Sequence, residues 1–371
     1  MKTFFNLIQE VQKPGLCHRC GGCVTFCTAV NYGALELDKG GAPKYLEIEK
    51  CIECGLCYSI CPVIDELEEE VKRKLAWSSP MGRVMETTVA RARDERIRAR
   101  ATDGGVITAL LVHLFDTGKI DGAIVARPTG RFQRSPSLAT GREQILEAAG
   151  FYFDTSQGMN QINDRYLTYS TIEEFAPMMQ KGLRRVALVG TPCQIQSVRR
   201  MEALEIIPSD SIKFCFGLFC SGNFIFGDAQ RKKLSENHDI DWDTVKKINV
   251  KDTFRVHDKE GKIREVPLSD LDFMKRHACR YCMDYASEYA DISFGGIGSD
   301  EGWTTVITRT PLGRAVFADA RNKSVEEFPV ADNANYASQA LSTTRVASNE
   351  KKQNARKQLK TQGSKGVNVV S

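Results

Sequence analysis

Eight of the 13 cysteines in this 371-residue sequence fall between residues 17 and 61, in two copies of one pattern. The first copy is Cys17-x-x-Cys20-x-x-Cys23-x-x-x-Cys27, and the second, 34 residues on, is Cys51-x-x-Cys54-x-x-Cys57-x-x-x-Cys61-Pro62. Cysteines spaced by two residues place three thiolates on one tight loop, where all can reach one [4Fe–4S] cube. The fourth is displaced by a helical start and binds the other cube where two are present. This crosswise rule assigns Cys17, Cys20, Cys23 and Cys61 to one cluster, and Cys51, Cys54, Cys57 and Cys27 to a second. Zinc sites instead use separated pairs that close a tetrahedron, which a triplet plus a displaced fourth, twice over, does not match. Thr28 follows Cys27 where Pro62 follows Cys61, a difference in the turn and not in the ligands. His18 reads as a tuning or surface residue. Gly21, Gly22 and Gly55 let backbone N–H groups come close to cluster sulfides.

The other composition features narrow the class. An odd cysteine count fits poorly with a full set of disulfides. The net charge of +4 balances 51 basic against 47 acidic side chains, so no nucleic-acid partner is expected. The longest apolar stretch, 213–226, is interrupted by Gly217, Ser221, Gly222 and Asn223 and is too short to span a bilayer. The N-terminal residues break at Asn6 and lack a small-residue cleavage site. A cytoplasmic location is expected, where thiols stay reduced and serve as metal ligands; a peripheral place on a membrane complex stays open.

Past the repeat, Asp65–Lys74 runs from acidic to basic, suits a helix dipole and reads as a solvated connector. From about residue 80 the pattern is α/β. Asp103 is the expected N-cap of an apolar helix from Val106 to Val112. Residues 121–127, 185–190 and 212–219 read as strands, the second leading into a helix that contains Gln194–Met201. Residues 254–266 read as a hairpin around Asp258–Gly261. Two strands, 290–294 and 303–308, flank the loop Gly295-Gly296-Ile297-Gly298-Ser299. The basic segment from Asn349 reads as a solvated or disordered terminus.

Five cysteines come late: Cys193, Cys215, Cys220, Cys279 and Cys282. Cys193 lies at a strand-to-helix turn, where N–H groups and the helix dipole favour a thiolate. Cys215 and Cys220 differ by an odd number, so only one should face a shared site. Spacing leaves three readings open: a third cluster, a small zinc site at Cys279/Cys282 beside a buried Cys193 thiol, or a dithiol redox pair. Asp103-Gly104-Gly105 at a helix start is a weak phosphate signal. The glycines of 295–298 suit a backbone lying against a flat ring or a diphosphate. Arg91, Arg93, Arg96, Arg98 and Arg100 read as a solvated helix face that could also meet an anionic tail.

Three segments in order resemble the beta subunit of the coenzyme F420-reducing hydrogenase and dehydrogenase family. They are Asp103–Leu110, Gly190-Thr191-Pro192-Cys193-Gln194, and Cys279–Arg309. The resemblance spans about residues 80–345, and with the cysteine repeat in front it is nearest to the electron-input subunit of F420H2 dehydrogenases. It implies an α+β chain: an N-terminal 2[4Fe-4S] ferredoxin-like domain (1–75), an α/β flavin-binding domain in two parts (76–170 and 171–348), and a flexible basic tail (349–371). It implies FAD beside a third [4Fe-4S] cluster on Cys193, Cys220, Cys279 and Cys282, Cys220 matching the family's Gly-Leu-x-Cys position and Cys215 being left over. It places FAD against Thr102, Asp103, Gly104, Gly105 and Thr108, and against Gly295, Gly296, Gly298, Ser299, Trp303, Thr304 and Thr305, with Arg309 near the phosphates. Phe151-Tyr152-Phe153 departs from the family's Ser-x-Tyr after Gly150, which puts that side of the pocket in question.

The activity implied is hydride exchange between coenzyme F420 and FAD, with single electrons passing through the clusters to other subunits. Those subunits would form a membrane dehydrogenase, a hydrogenase or a disulfide reductase. A flavin suits this because it links a two-electron carrier to one-electron clusters; no catalytic base is assigned. Two other readings stay open: a ferredoxin-dependent reductase of an organic ring, as in the chlorophyll-ring reductases of the same family, and an electron relay without flavin.

Overall fold

The structure, a computed structural model, describes residues 1–30, 33–38, 40–130, 133–150, 175–205, 209–329 and 331–361. In chain order the strands are β1 (Leu35–Leu37), β2 (Pro43–Tyr45), β3 (Glu86–Ala92), β4 (Gly122–Gly130), β5 (Gln133–Ala139), β6 (Val186–Gly190) and β7 (Ile212–Leu218). They continue with β8 (Val245–Val250), β9 (Thr253–Asp258), β10 (Ile263–Pro267), β11 (Ile292–Gly295), β12 (Thr304–Thr308) and β13 (Val325–Glu327).

An eight-stranded sheet in the order β13-β3-β12-β11-β7-β6-β4-β5 organises the chain. Its centre, β11-β7-β6-β4, is parallel, and the pairs beyond it on either side are antiparallel. Parallel strands are buried on both faces and so read as unbroken apolar runs, which is why 185–190 and 212–219 were legible as strands. Alternation divides the core in two. Ala123, Val125, Phe214 and Phe216 face the helices Val106–Asp116 and Pro311–Ala320. Ile124, Leu188 and Cys215 face the helix Pro192–Ala203 on the other side. The hairpin β9-β10 joins β8 in a small separate sheet with its own apolar core.

The cysteine-rich module packs on the second face. Phe26, Ile60 and Val71 enter the same cluster as Ile195, Val198 and Met201. Gly22 lies so close to the Pro192–Ala203 helix that a Cβ would sit 1.9 Å from Ser197 Oγ. The segment expected to be a solvated connector is part of this interface. Glu68, at the start of the helix Glu68–Lys74, is buried, and its carboxylate meets Arg200 Nη2 at 2.7 Å. Tyr289 donates to the same carboxylate. Charge order correctly signals a helix here, but carries no sign that one carboxylate turns inward.

The C-terminus corrects a second expectation. From Asn349 to Thr361 the chain continues one helix, Tyr336–Thr361. Small residues Ala340, Thr344, Ser348 and Ala355 form its buried stripe, a face that a count of basic residues does not reveal. Residues 362–371, Phe151–Phe153 and the expected boundary at 170/171 lie outside the described residues. Among the described residues, no helix is long and apolar enough to cross a membrane.

Candidate functional site

The two cysteine loops are repeated in backbone as well as in sequence. Arg19 and Glu53, each one residue before the second cysteine of its copy, both have positive φ (51° and 53°). Gly21 and Gly55, each just after that cysteine, do too (85° and 75°). Alternating hands of this kind turn successive N–H groups into one concavity suited to anions. The glycines supply one half of the pattern without strain; Arg19 and Glu53 hold a conformation that L side chains avoid.

The thiols gather in the crosswise sets. Cys61 interacts electrostatically with Cys20 and Cys17, whereas Cys27 interacts with Cys51 and Cys54. Cys17, Cys20, Cys23 and Cys61 line one void, and Cys27, Cys51, Cys54 and Cys57 another. The sets adjoin, since Cys23 also senses Cys57. Burial pushes the Cys20 thiol up to about 11 and Cys57 to about 12. Such thiols stay protonated on their own and become thiolates when a metal takes the charge, so binding releases protons. Among the described residues, no three His, Cys, Asp or Glu side chains close round a single ion. The chemistry of the donors and the N–H concavities fit [4Fe–4S] clusters.

The late cysteines come together from three segments. Thr191 and Gln194 form a capping box that fixes the start of the Pro192–Ala203 helix, and Thr191 Oγ1 lies 3.4 Å from Cys193 Sγ. Cys193 interacts with Cys20 of the first set and with Cys282 and Cys220. Cys220 in turn interacts with Cys279 and Cys282, and burial pushes its thiol to about 11. The Asn223 N–H donates to Cys279 Sγ at 3.3 Å. Cys215 stands apart in the core, beside Arg199, Glu202 and Asp291. Desolvation works against the Lys351 ammonium, but Cys282, Cys220, Cys279 and Asp284 together hold it above the usual lysine range.

A cavity of about 290 Å³ opens beside this third set. It lies at the carboxyl ends of β6, β7 and β11, the crevice where open α/β sheets take ligands. Cys220 lines it, as do Phe219, Phe294, Gly295 and Gly296. Of the sequence-derived contacts, Thr102, Asp103, Gly105, Thr108, Gly295, Gly296 and Thr304 line this cavity. A Cβ on Gly296 would come within 2.5 Å of Asp103 Oδ2, so the wall admits backbone only.

Asp103 is not the N-cap. The helix Val106–Asp116 is capped by Gly105 at φ 73° without a side-chain bond, and Asp103 turns into the cavity. There it accepts from Asn249 Nδ2 at 2.9 Å and pairs with Lys251 Nζ at 3.3 Å. Both partners sit on or just after β8, and local pattern gave no hint of either. Arg134 also lines the cavity, tied to the carbonyls of Ala126, Ala148 and Ala149.

The remaining expected contacts support the wall from behind. Gly104 N–H donates to Thr304 Oγ1, and a Cβ on Gly104 would meet Ala90 O at 2.7 Å. Gly298 packs on Ala340, Ser299 bonds back to Gly296, Trp303 lies against Phe328 and Arg91, and Thr305 donates to Ile297 O. Arg309 does not reach the cavity. Its buried guanidinium donates to the carbonyls of Met81, Arg83 and Ala286 and to Ser293 Oγ, so four of the five N–H groups of a guanidinium are spent inside the protein. The arginine run is mostly spent as well: Arg91 pairs with Glu326, Arg96 with Asp94 and Arg98 with Glu95.

Comparison with known proteins agrees with this geometry. Residues 87–163 and 183–333 match the N-terminal and C-terminal regions of the coenzyme F420 hydrogenase/dehydrogenase beta subunit. Residues 9–62 match a 4Fe-4S dicluster domain. The coenzyme F420 hydrogenase subunit beta of Methanosarcina barkeri is 33% identical over 246 residues, covering 65% of this chain and 80% of that protein. A subunit of the F(420)H(2) dehydrogenase of Methanosarcina mazei is 27% identical over 327 residues, 85% of each. A chain of the F420-reducing [NiFe] hydrogenase complex from Methanosarcina barkeri superposes with a TM-score of 0.66 at 30% identity, covering 79% of this chain and 97% of that one.

Proposed function

The chain belongs to the family of coenzyme F420 hydrogenase/dehydrogenase beta subunits, and on that premise we propose that it is the electron-input subunit of an iron–sulfur flavoprotein oxidoreductase. It exchanges hydride between coenzyme F420 and FAD at the cavity, and passes single electrons through three [4Fe-4S] clusters to a partner subunit. The observation that carries this reading is the unbroken succession of thiol sets. Cys220 lines the cavity, Cys193 adjoins Cys20, and Cys23 adjoins Cys57.

The ligand sets are Cys193, Cys220, Cys279 and Cys282 beside the cavity, then Cys17, Cys20, Cys23 and Cys61, then Cys51, Cys54, Cys57 and Cys27. FAD, when bound, supplies the conversion between two-electron and one-electron chemistry. The chain's part is positioning. The backbone of Gly105, Gly295 and Gly296 offers close approach, the hydroxyls of Thr102, Thr108 and Thr304 offer hydrogen bonds, and Phe219, Phe294 and Tyr285 keep water out. Asp103, fixed by Lys251 and Asn249, gives the cavity one oriented charge. No side chain is assigned as acid or base, because hydride transfer needs none. The outermost set is bordered by exposed Ile48 and Ile52, a surface suited to a partner subunit of a hydrogenase, a membrane dehydrogenase or a disulfide reductase. The protein would then work in the cytoplasm, directly or at the edge of a membrane complex.

Anaerobically purified protein tests this. Denaturation should release FAD, and F420H2 should bleach the flavin absorption. Bleaching by reduced ferredoxin but not by F420H2 would overturn the coenzyme, and absence of released flavin would overturn the flavoprotein reading.

A further inference from the structure

The helix Tyr336–Thr361 begins after residue 333, where the family match ends, yet it packs on the cavity wall, on the segments of Cys220 and Cys282 and on the core of the cysteine-rich module. Near its start, Ala340 packs on the Gly298 backbone, so closely that a Cβ on Gly298 would lie 2.8 Å from Ala340 Cα. One residue on, Leu341 packs with Phe219 and Tyr285 behind the cavity. Near its end, Leu359 joins the core of the cysteine-rich module. Between these anchors, Lys351 Nζ donates to the carbonyl oxygens of Cys220 at 2.6 Å and Asp284 at 2.8 Å. Those carbonyls belong to the two segments that carry the Cys220 and Cys282 thiols. Lys352, its neighbour, is paired with Glu288 at 2.5 Å. Among the described residues Lys351 makes no salt bridge, and its charge acts on the thiols of Cys282, Cys220 and Cys279 and on Asp284; Lys275 and Arg276 also face Cys279.

We propose that Lys351 is a positioning residue, a fixed counter-charge of the cluster held by Cys193, Cys220, Cys279 and Cys282, through which the C-terminal helix raises that cluster's reduction potential. This rests on the reading that those four cysteines hold a cluster. Reduction adds one electron to a centre that four thiolates already make anionic. A half-buried cation held against the ligand segments therefore favours the reduced form. Net charge and local hydrogen bonding are among the main determinants of such potentials. The consequence is directional: the cluster nearest the cavity becomes a ready acceptor for electrons leaving it.

The test is an EPR-monitored redox titration of the intact protein under anaerobic conditions, with iron content measured in parallel. Lys351→Met removes the charge and keeps the stem, Lys351→Arg keeps the charge, and Lys357→Met, on an exposed part of the same helix, is the control. In Lys351→Met the ratio of reduced to oxidised third cluster at a fixed potential should fall about tenfold, about 59 mV for a one-electron couple, with iron unchanged. Lys351→Arg and Lys357→Met should stay near wild type. A wild-type midpoint in Lys351→Met overturns the proposal, as does an equal shift in Lys351→Arg, which would point to helix packing. Loss of iron in Lys351→Met overturns it too, because the charge would then serve assembly rather than potential. The underlying reading fails separately, if Cys220→Ser keeps its full iron and an unaltered third-cluster signal.

Discussion

Glu68 and Arg200 offer the sharpest test of how the cysteine-rich module is fixed to the sheet. Their side chains are 6% and 0% exposed and 2.7 Å apart, and Arg200 also donates to Ile64 O. A buried pair of this kind adds little over an apolar replacement, since desolvation offsets the attraction. Removing one partner, however, strands the other and costs about 3–5 kcal/mol. Glu68→Ala also deprives the Tyr289 hydroxyl of its acceptor, worth about 1 kcal/mol, so the expected loss is about 4–6 kcal/mol. At roughly 2–4 °C per kcal/mol for a unit of 150–250 residues, the melting transition should fall by at least about 8 °C. The assay is anaerobic thermal unfolding followed by near-UV circular dichroism and cluster absorption. Glu68→Met/Arg200→Met should recover most of the loss, because no buried charge remains. A drop under about 1 kcal/mol in Glu68→Ala, or a double variant worse than the single one, would refute the reasoning and make the pair a solvated contact.

Two further outcomes concern individual residues. Cys220→Ser should lower iron by about four atoms per chain, the content of one cubane, while Cys215→Ser, in the sheet core, should leave iron unchanged; colorimetric iron analysis distinguishes them, and the reverse result reassigns the fourth ligand. Burial, with Asp284 adding to it, raises the Glu288 carboxyl from 4.5 to about 7 against the opposing pull of Lys352. The folded protein thus binds a proton that the unfolded chain has released. Stability should therefore fall as pH rises from about 4.5 to about 7 and then level off. Glu288→Gln should flatten that slope in denaturant titrations across the window.

Much of the site was legible along the chain because its signals are local. Three thiols on one loop need only two-residue spacing, and Cys193 at a strand-to-helix turn is marked by the strand before it and Pro192 beside it. Residues whose roles depend on distant partners were misread. Asp103 looked like an N-cap because its sequence neighbours form a helix; Asn249 and Lys251, nearly 150 positions away, turn it into the cavity. Arg309 looked like a phosphate ligand, and the carbonyls that occupy it come from residues 81, 83 and 286.

The iron–sulfur cysteine pattern, the central strands and the family resemblance could be read from the chain alone, because each is written in short-range spacing, contiguous apolar runs or local motifs. Tertiary structure alone decided which charges are spent and which are free to act. Glu68 and Lys351 both lie in segments that composition marks as solvated. Each turns inward only because a partner from elsewhere in the chain, Arg200 for one and the Cys220 and Asp284 carbonyls for the other, compensates the loss of water.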